Sequence, residues 1–230
     1  MIGIIGALAD EVKKLAARLE DAKTVTVGGM EFTVGRICSH EAVLCICGMG
    51  KVFASMYAEA MIREFSPELI INVGAAGTLT DELHITDIAV GTKVVQHDMD
   101  NSPLGYRKGE IAELSTVYFS CDEKVSELLL DCARELSLKS LPCPVATGDV
   151  FVCSEEMRKS IRERFGAYCA EMEGGAVAQV CAFHKTPFGL LRAISDEAGG
   201  DAPEDFPAFL EKVTDDATAL LCRFFERYRA

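Results

Sequence analysis

Ala170-Glu171-Met172-Glu173-Gly174-Gly175 places two carboxylates where an apolar strand ends. Alternate side chains of a strand face opposite ways. Glu171 and Glu173 are therefore expected on one face and Met172 on the other. Two glycines follow, and residues 176–181 then read as a helix. In open α/β sheets, a strand-to-helix corner is where ligands bind, outside the carboxyl ends of the strands. Taken alone, Glu-x-Glu reads first as a solvated acidic turn, and the surrounding chain has to decide.

On either side of this corner, apolar strand patterns and helical patterns alternate. Residues 2–5 read as a buried strand and 9–19 as a helix, with Val12, Leu15 and Leu19 at helical spacing. Two short strands, 24–27 and 31–37, flank the turn signal Gly28-Gly29. Strands are expected at 42–47, 69–73, 88–95, around 145–146 and at 188–194, and helices at 52–65, 124–136 and 155–165. A polar stretch from His97 to Ser115 reads as a long loop. A loop with Gly199, Gly200, Pro203 and Pro207 leads to a final helix from about Ala208 to Tyr228. The pattern predicts one α/β domain with a mostly parallel or mixed sheet.

Composition narrows the function. The chain has 230 residues, 49% of them hydrophobic, and a net charge of −13. That charge argues against non-specific binding to nucleic acid or to an anionic membrane. Cys45, Cys47, Cys169 and Cys181 fall inside apolar patterns, where free cysteine behaves as a small hydrophobe. No C-x-x-C pair is present, so neither a zinc ribbon nor a dithiol redox site is expected. The first residues lack a basic segment and run into Asp10 and Glu11, unlike a signal peptide. No apolar run approaches the roughly 18 residues that span a membrane. A reduced, cytoplasmic setting is expected.

Most single motifs are weak. Gly48-x-Gly50 lacks the third glycine of a dinucleotide fingerprint, since Phe53 takes its place. Asp10 and Glu11 open a helix, where the dipole alone favours acids. His97-Asp98-Met99-Asp100 offers one histidine and two loop carboxylates, a poor metal set. Ser195-Asp196 ends the strand that carries Arg192, and an arginine buried there needs a carboxylate such as Glu11, Glu171 or Glu173. Neither a G-x-S-x-G elbow nor a Walker lysine motif is present.

Together the strand ends resemble the nucleoside phosphorylase and nucleosidase superfamily, in particular its bacterial 5′-methylthioadenosine/S-adenosylhomocysteine nucleosidase branch. The resemblance rests on Gly3–Ala7 through Glu11-Val12, Gly48-Met49-Gly50-Lys51, Asn72–Gly77, Gly148-Asp149-Val150-Phe151, Glu171-Met172-Glu173 and Arg192–Asp196, in the family's order and spacing. It implies an αβα sandwich around a mixed, partly barrel-like sheet, and a homodimer with the loop from His97 to Arg107 at the interface. It also implies hydrolysis of the adenine–ribose bond in methionine salvage and methyl-cycle recycling, with no cofactor and no metal.

By motif position, Asp196 matches the acid that protonates the leaving adenine at N7, oriented by Ser195. Glu11 matches the base that activates water. Glu173 matches the ligand of the ribose hydroxyls, with Met172 packing on the sugar. Phe151 stacks on adenine and the backbone of Val152 reads the base edge. Arg192 and Glu171 organise the water and the carboxylates, and Met49 and Phe206 line the pocket for the 5′-substituent.

The chemistry fits independently. N-glycosidic cleavage builds positive charge on the sugar and negative charge on the base, so carboxylates around one and a proton donor near the other meet both needs. Three features depart from the branch: Ala75 stands where a hydroxyl residue is common, Asn101 stands where relatives present an apolar residue, and Gly199-Gly200 points to a more mobile closing loop. Three other readings compete. They are a hydrolase of futalosine-type nucleosides, a purine nucleoside phosphorylase, and a catalytically silent nucleoside-binding module. The acids of residues 6–11 would repel phosphate, and retention of Glu11, Glu173 and Asp196 disfavours the silent module.

Overall fold

The computed structural model describes residues 1–199 and 202–229; the mobility expected of Gly199-Gly200 falls partly on Gly200, outside the described residues. In chain order the elements are β1 (Ile2–Gly6), α1 (Ala9–Ala16), β2 (Glu20–Val27), β3 (Met30–Ile37), β4 (His40–Ile46), α2 (Lys51–Phe65), β5 (Leu69–Thr78) and β6 (Ile88–Gln96). Then come β7 (Phe119–Ser120), α3 (Glu123–Glu135), β8 (Ser140–Thr147), α4 (Glu155–Phe165), β9 (Cys169–Glu171), α5 (Gly174–His184), β10 (Phe188–Asp196) and α6 (Ala202–Arg227).

The strands form one mixed sheet in the order β10-β6-β8-β9-β5-β1-β4-β3-β2, with β7 on β6. β10 also pairs with β5, which closes β5, β9, β8, β6 and β10 into a ring. β1 alternates between two apolar layers. Ile2 and Ile4 join the core under α1, α3 and α6, while Ile5 joins the one under α2 and α5. Gly3 is on the second face, where a Cβ would meet the Met61 sulfur at 2.5 Å. Helices thus cover both faces of a partly barrel-like sheet, as expected.

Within the sheet two parallel sets run against each other. β1, β4, β5 and β10 are parallel, as are β6, β8 and β9, and β5 meets β9 antiparallel. Gly77 pairs with Ala170 on one side and Asp196 on the other. The ends of β9 and β10 therefore converge on the same stretch of β5.

Several boundaries differ from the sequence reading. β5 does not stop at Val73 but continues through Gly74-Ala75-Ala76-Gly77 to Thr78, because the ring pairs both its edges there. β8 starts at Ser140 despite Pro142 and Pro144. β9 pairs only with residues 145–147, so the stretch with both prolines is an edge on that side, where proline is tolerated. α6 starts at Ala202 rather than Ala208. β9 ends at Glu171, and Glu173 is the residue that caps α5, with φ −130° and ψ −41°. Strand alternation therefore does not place Glu173; the turn into α5 does.

Candidate active site

A cavity of about 440 Å³ opens where these ends converge. Glu11, Met49, Ala75, Phe151 and Val152 line it, as do Glu171, Met172, Glu173, Ser195, Asp196 and Phe206. Met172 does not turn away from the two acids: it shares their cavity. Arg192 lies behind this wall, 1% exposed, and does not line it.

The carboxylates are held in different ways. Glu11 sits in the first turn of α1. Its Oε2 accepts from the backbone N–H groups of Ala7 (2.8 Å) and Leu8 (2.9 Å), and its Oε1 from that of Ala75 (3.0 Å). Gly74 makes room, since a Cβ there would lie 2.8 Å from Oε1. Burial pushes the Glu11 carboxyl above its usual range, against those three N–H groups and the charge of Arg192.

Glu171 is saturated. It accepts from the Arg192 guanidinium, the Thr147 hydroxyl and the backbone N–H groups of Glu173 (3.0 Å) and Gly174 (2.7 Å). Arg192 also donates to Asn72 and to the Leu191 carbonyl. Such a buried pair is tolerable because most of its other donors and acceptors are matched, the Arg192 Nε alone of its nitrogens lacking a partner among the described residues.

Glu173 accepts from the Gly50 N–H at 2.8 Å. Burial, and then the charge of Glu171, push its carboxyl up to about 7, with Arg192 and the Gly50 N–H pulling back. A carboxyl titrating near neutrality in a cavity is a mark of a functional site.

Asp196 owes its position to a bulge. The β10–β5 register shifts between Ile194 and Asp196, so Ser195 and Asp196 both reach the cavity though adjacent in sequence. The Ser195 hydroxyl donates to Asp196 Oδ2 at 2.9 Å, and the Ala198 N–H donates to Oδ1 at 2.9 Å. A Cβ on Gly77 would fall 2.4 Å from Oδ1, so glycine is required opposite this acid.

Near Asp196 the wall is aromatic. Phe151 meets Phe206 edge-on, with centroids 6.2 Å apart. The cavity thus combines an aromatic pair with four carboxylates, three of which, Glu11, Glu171 and Glu173, act on Arg192.

Sequence reasoning assigned no part to Asn72 or Thr147, which orient Arg192 and Glu171. A polar residue inside the apolar run 69–73 was the available signal for Asn72. Leu8, Ala76 and Gly77 also line the cavity without having been singled out. Among the described residues no group of three metal-ligating side chains is assembled, and His97 and Asp98 lie outside the cavity lining.

This fold has known counterparts. The chain belongs to the phosphorylase superfamily, whose family model matches residues 1–226. It is 37% identical, over 92% of its own length and 92% of the relative's, to the 5′-methylthioadenosine/S-adenosylhomocysteine nucleosidase of Shewanella loihica. Among solved structures it resembles the nucleosidase of the same name from Neisseria meningitidis in complex with methylthio-immucillin-A, with a TM-score of 0.95, 30% identity and 99% of each chain covered. It also resembles the futalosine hydrolase of Helicobacter pylori, with a TM-score of 0.94, 32% identity and coverage of 99% of this chain and 97% of that one.

Proposed function

We propose that this protein is an N-glycosyl hydrolase that releases adenine from 5′-methylthioadenosine and S-adenosylhomocysteine. The observation that carries the reading is the cavity's charge: Glu11, Glu171, Glu173 and Asp196 line it, and no lysine or arginine does among the described residues. Such a wall stabilises a cationic sugar and repels phosphate. It therefore favours water over phosphate as nucleophile, although the superfamily's name is that of the phosphorylases.

In the proposed reaction, Glu173 accepts from the ribose hydroxyls and Met172 packs on the sugar. The bond from the anomeric carbon to the purine breaks, and its electron pair leaves with the base. Asp196, oriented by Ser195, delivers a proton to the purine N7 as adenine departs. Water adds to the anomeric carbon and gives its proton to Glu11, whose raised affinity for protons suits a base. Phe151 and Phe206 form the aromatic side of the slot, and Met49 lies beside the 5′-substituent. Glu171, held from behind by Arg192, fixes the turn that carries Glu173. No step calls on a metal or an organic cofactor.

Free adenine should form from both thionucleosides at the same rate with or without phosphate, together with a free 5′-thioribose. A sugar 1-phosphate as main product would assign the protein to the phosphorylases instead. Release of hypoxanthine from futalosine, with no adenine from either thionucleoside, would move the substrate to that nucleoside and leave the chemistry intact.

A homodimer in a cytoplasmic setting belongs to the same proposal. Val52, Phe53 and Met56 on α2 and Phe183 on α5 are large apolar side chains exposed on neighbouring helices, as is Leu104 in the loop from His97 to Arg107. Exposed apolar side chains grouped on neighbouring helices favour burial against a second copy. Light scattering is expected to give twice the chain mass at working concentration, and a fully active monomer would refute this part.

A further inference from the structure

Three loops outside the cavity lining are tied into a closed ring by side chains that the proposed reaction does not use. Lys51 is the first residue of α2, and its Nζ donates to Asp98 Oδ1 at 2.8 Å and to Gln96 Oε1 at 3.2 Å. Asp98 Oδ2 accepts from the Asp149 N–H at 2.9 Å, and Asp149 Oδ1 accepts from the Lys51 N–H at 2.8 Å. The three residues therefore link the chain after β6, the chain after β8 and the start of α2. None of them lines the cavity.

Each link of the ring adjoins a wall of the site. The N–H next to that of Lys51 is that of Gly50, which donates to Glu173. Met49 precedes Gly50, and Phe151 follows Asp149 by two residues. The first N–H groups of a helix have no partners within the helix. Here Asp149 and Glu173 take two of them, so the start of α2 aims one donor at the ring and one at the cavity.

We propose that Lys51 is a positioning residue. Its ion pair with Asp98 holds the Gly50 N–H against Glu173, and thereby sets the grip of Glu173 on the sugar hydroxyls. The inference rests on the function proposed above. The ammonium is the charge partner of Asp98, whose other oxygen holds the Asp149 N–H, and the Asp149 carboxylate in turn holds the Lys51 N–H. Removing the ammonium leaves Asp98 without its counter-charge, which loosens its hold on the chain after β8 and, through Asp149, on the start of α2.

The test is a double-mutant cycle with Lys51→Met and Asp98→Asn, read as adenine release from 5′-methylthioadenosine beside the wild type. Each single variant is expected to lose about 10-fold in kcat/KM, mostly through KM, because the grip on the sugar already exists in the ground state. The double variant should be no worse than the poorer single one, since both break the same contact. The acid limb of kcat/KM should also move to higher pH, because the Gly50 N–H favours ionised Glu173. Glu171, Arg192 and Glu11 also face Glu173, and they stay in place in both variants.

Losses that add, or folded variants with wild-type KM and pH profile, would overturn the proposal. A purely structural ring would lower the melting temperature and leave KM and the acid limb unmoved. Should Lys51→Met fail to fold, the near-isosteric Asp98→Asn carries the same readouts. A wild type that releases no adenine would refute the proposed function and this inference with it.

Discussion

The two walls of the cavity are built on opposite principles. The wall made by α1 and the β9–α5 corner packs three carboxylates around one guanidinium, and burial, followed by the charge of Glu171, pushes Glu173 up to about 7. The wall made by the end of β10, the chain after β8 and the first turns of α6 carries one acid, Asp196, together with Phe151, Val152 and Phe206. The first holds charge that a developing cation would relieve. The second offers an aromatic surface and a single acid. Cleavage of a bond between a sugar and a purine needs both, one on each side.

The largest expected effects separate the walls chemically. Asparagine at 196 keeps the shape and can still donate a hydrogen bond to a purine nitrogen, but it cannot transfer a proton. Asp196→Asn should therefore lower kcat by about 10² to 10⁴-fold with KM nearly constant. Glu11→Gln should do the same from the other wall, through the water. Steady-state kinetics on 5′-methylthioadenosine checks both. Near-normal kcat in Asp196→Asn would mean that another residue supplies the proton.

Next in size is a stability effect confined to the charged wall. Arg192→Met leaves Glu171 buried without a counter-charge, and removing one partner of a buried pair costs about 3–5 kcal/mol. Urea denaturation should show this as a lower midpoint. A loss under about 1 kcal/mol would mean that Glu171 is neutral or rehydrated in the variant.

How much of each wall was legible in the sequence follows from the same contrast. The acids stood out because charged residues interrupt apolar strand ends, and six motifs in family order pointed to the superfamily to which the chain belongs. Arg192 was visible as a cation in an apolar strand, and its need for a carboxylate was met by Glu171. Strand alternation grouped Glu171 with Glu173, but alternation is not what brings them together: the chain leaves the strand at Glu171, and Met172 enters the same cavity. Ring closure was illegible locally. Gly74-Ala75-Ala76-Gly77 reads as a turn, and only pairing with β9 and β10 makes it strand. The bulge that brings Ser195 and Asp196 to one cavity is likewise a product of register, not of composition.

The third effect comes from Glu173 alone. Its folded value of about 7 lies above its ordinary 4.5, so the folded protein binds this proton more tightly than the unfolded chain. The stability gained is fully present below about pH 4.5 and is lost as pH rises through about 7. Glutamine mimics the protonated form and does not titrate. The stability of the wild type relative to Glu173→Gln should therefore fall across this window, by at most about 1.4 kcal/mol per pH unit. Paired denaturation curves at several pH values check it. A constant difference would place the carboxyl in its ordinary range and remove the contrast between the walls.

The smallest effect belongs to the aromatic wall. Phe151 is 41% exposed and touches Phe206 edge-on, so the protein itself buries little of its ring. Phe151→Ala should cost the fold almost nothing, because a half-exposed side chain leaves no closed cavity behind. A bound purine would cover the exposed face. Base–aromatic stacking contributes about 1–3 kcal/mol, and a ring open to solvent on one side belongs at the low end, so KM should rise about fivefold. The contact exists before and after the bond breaks, which makes it uniform binding, and kcat should hold. Phe151→Leu should fall between the two, since it keeps apolar area without the flat face. A drop in kcat with KM unchanged would instead tie Phe151 to the leaving group's charge, and would mean that Asp196 does not stabilise it alone.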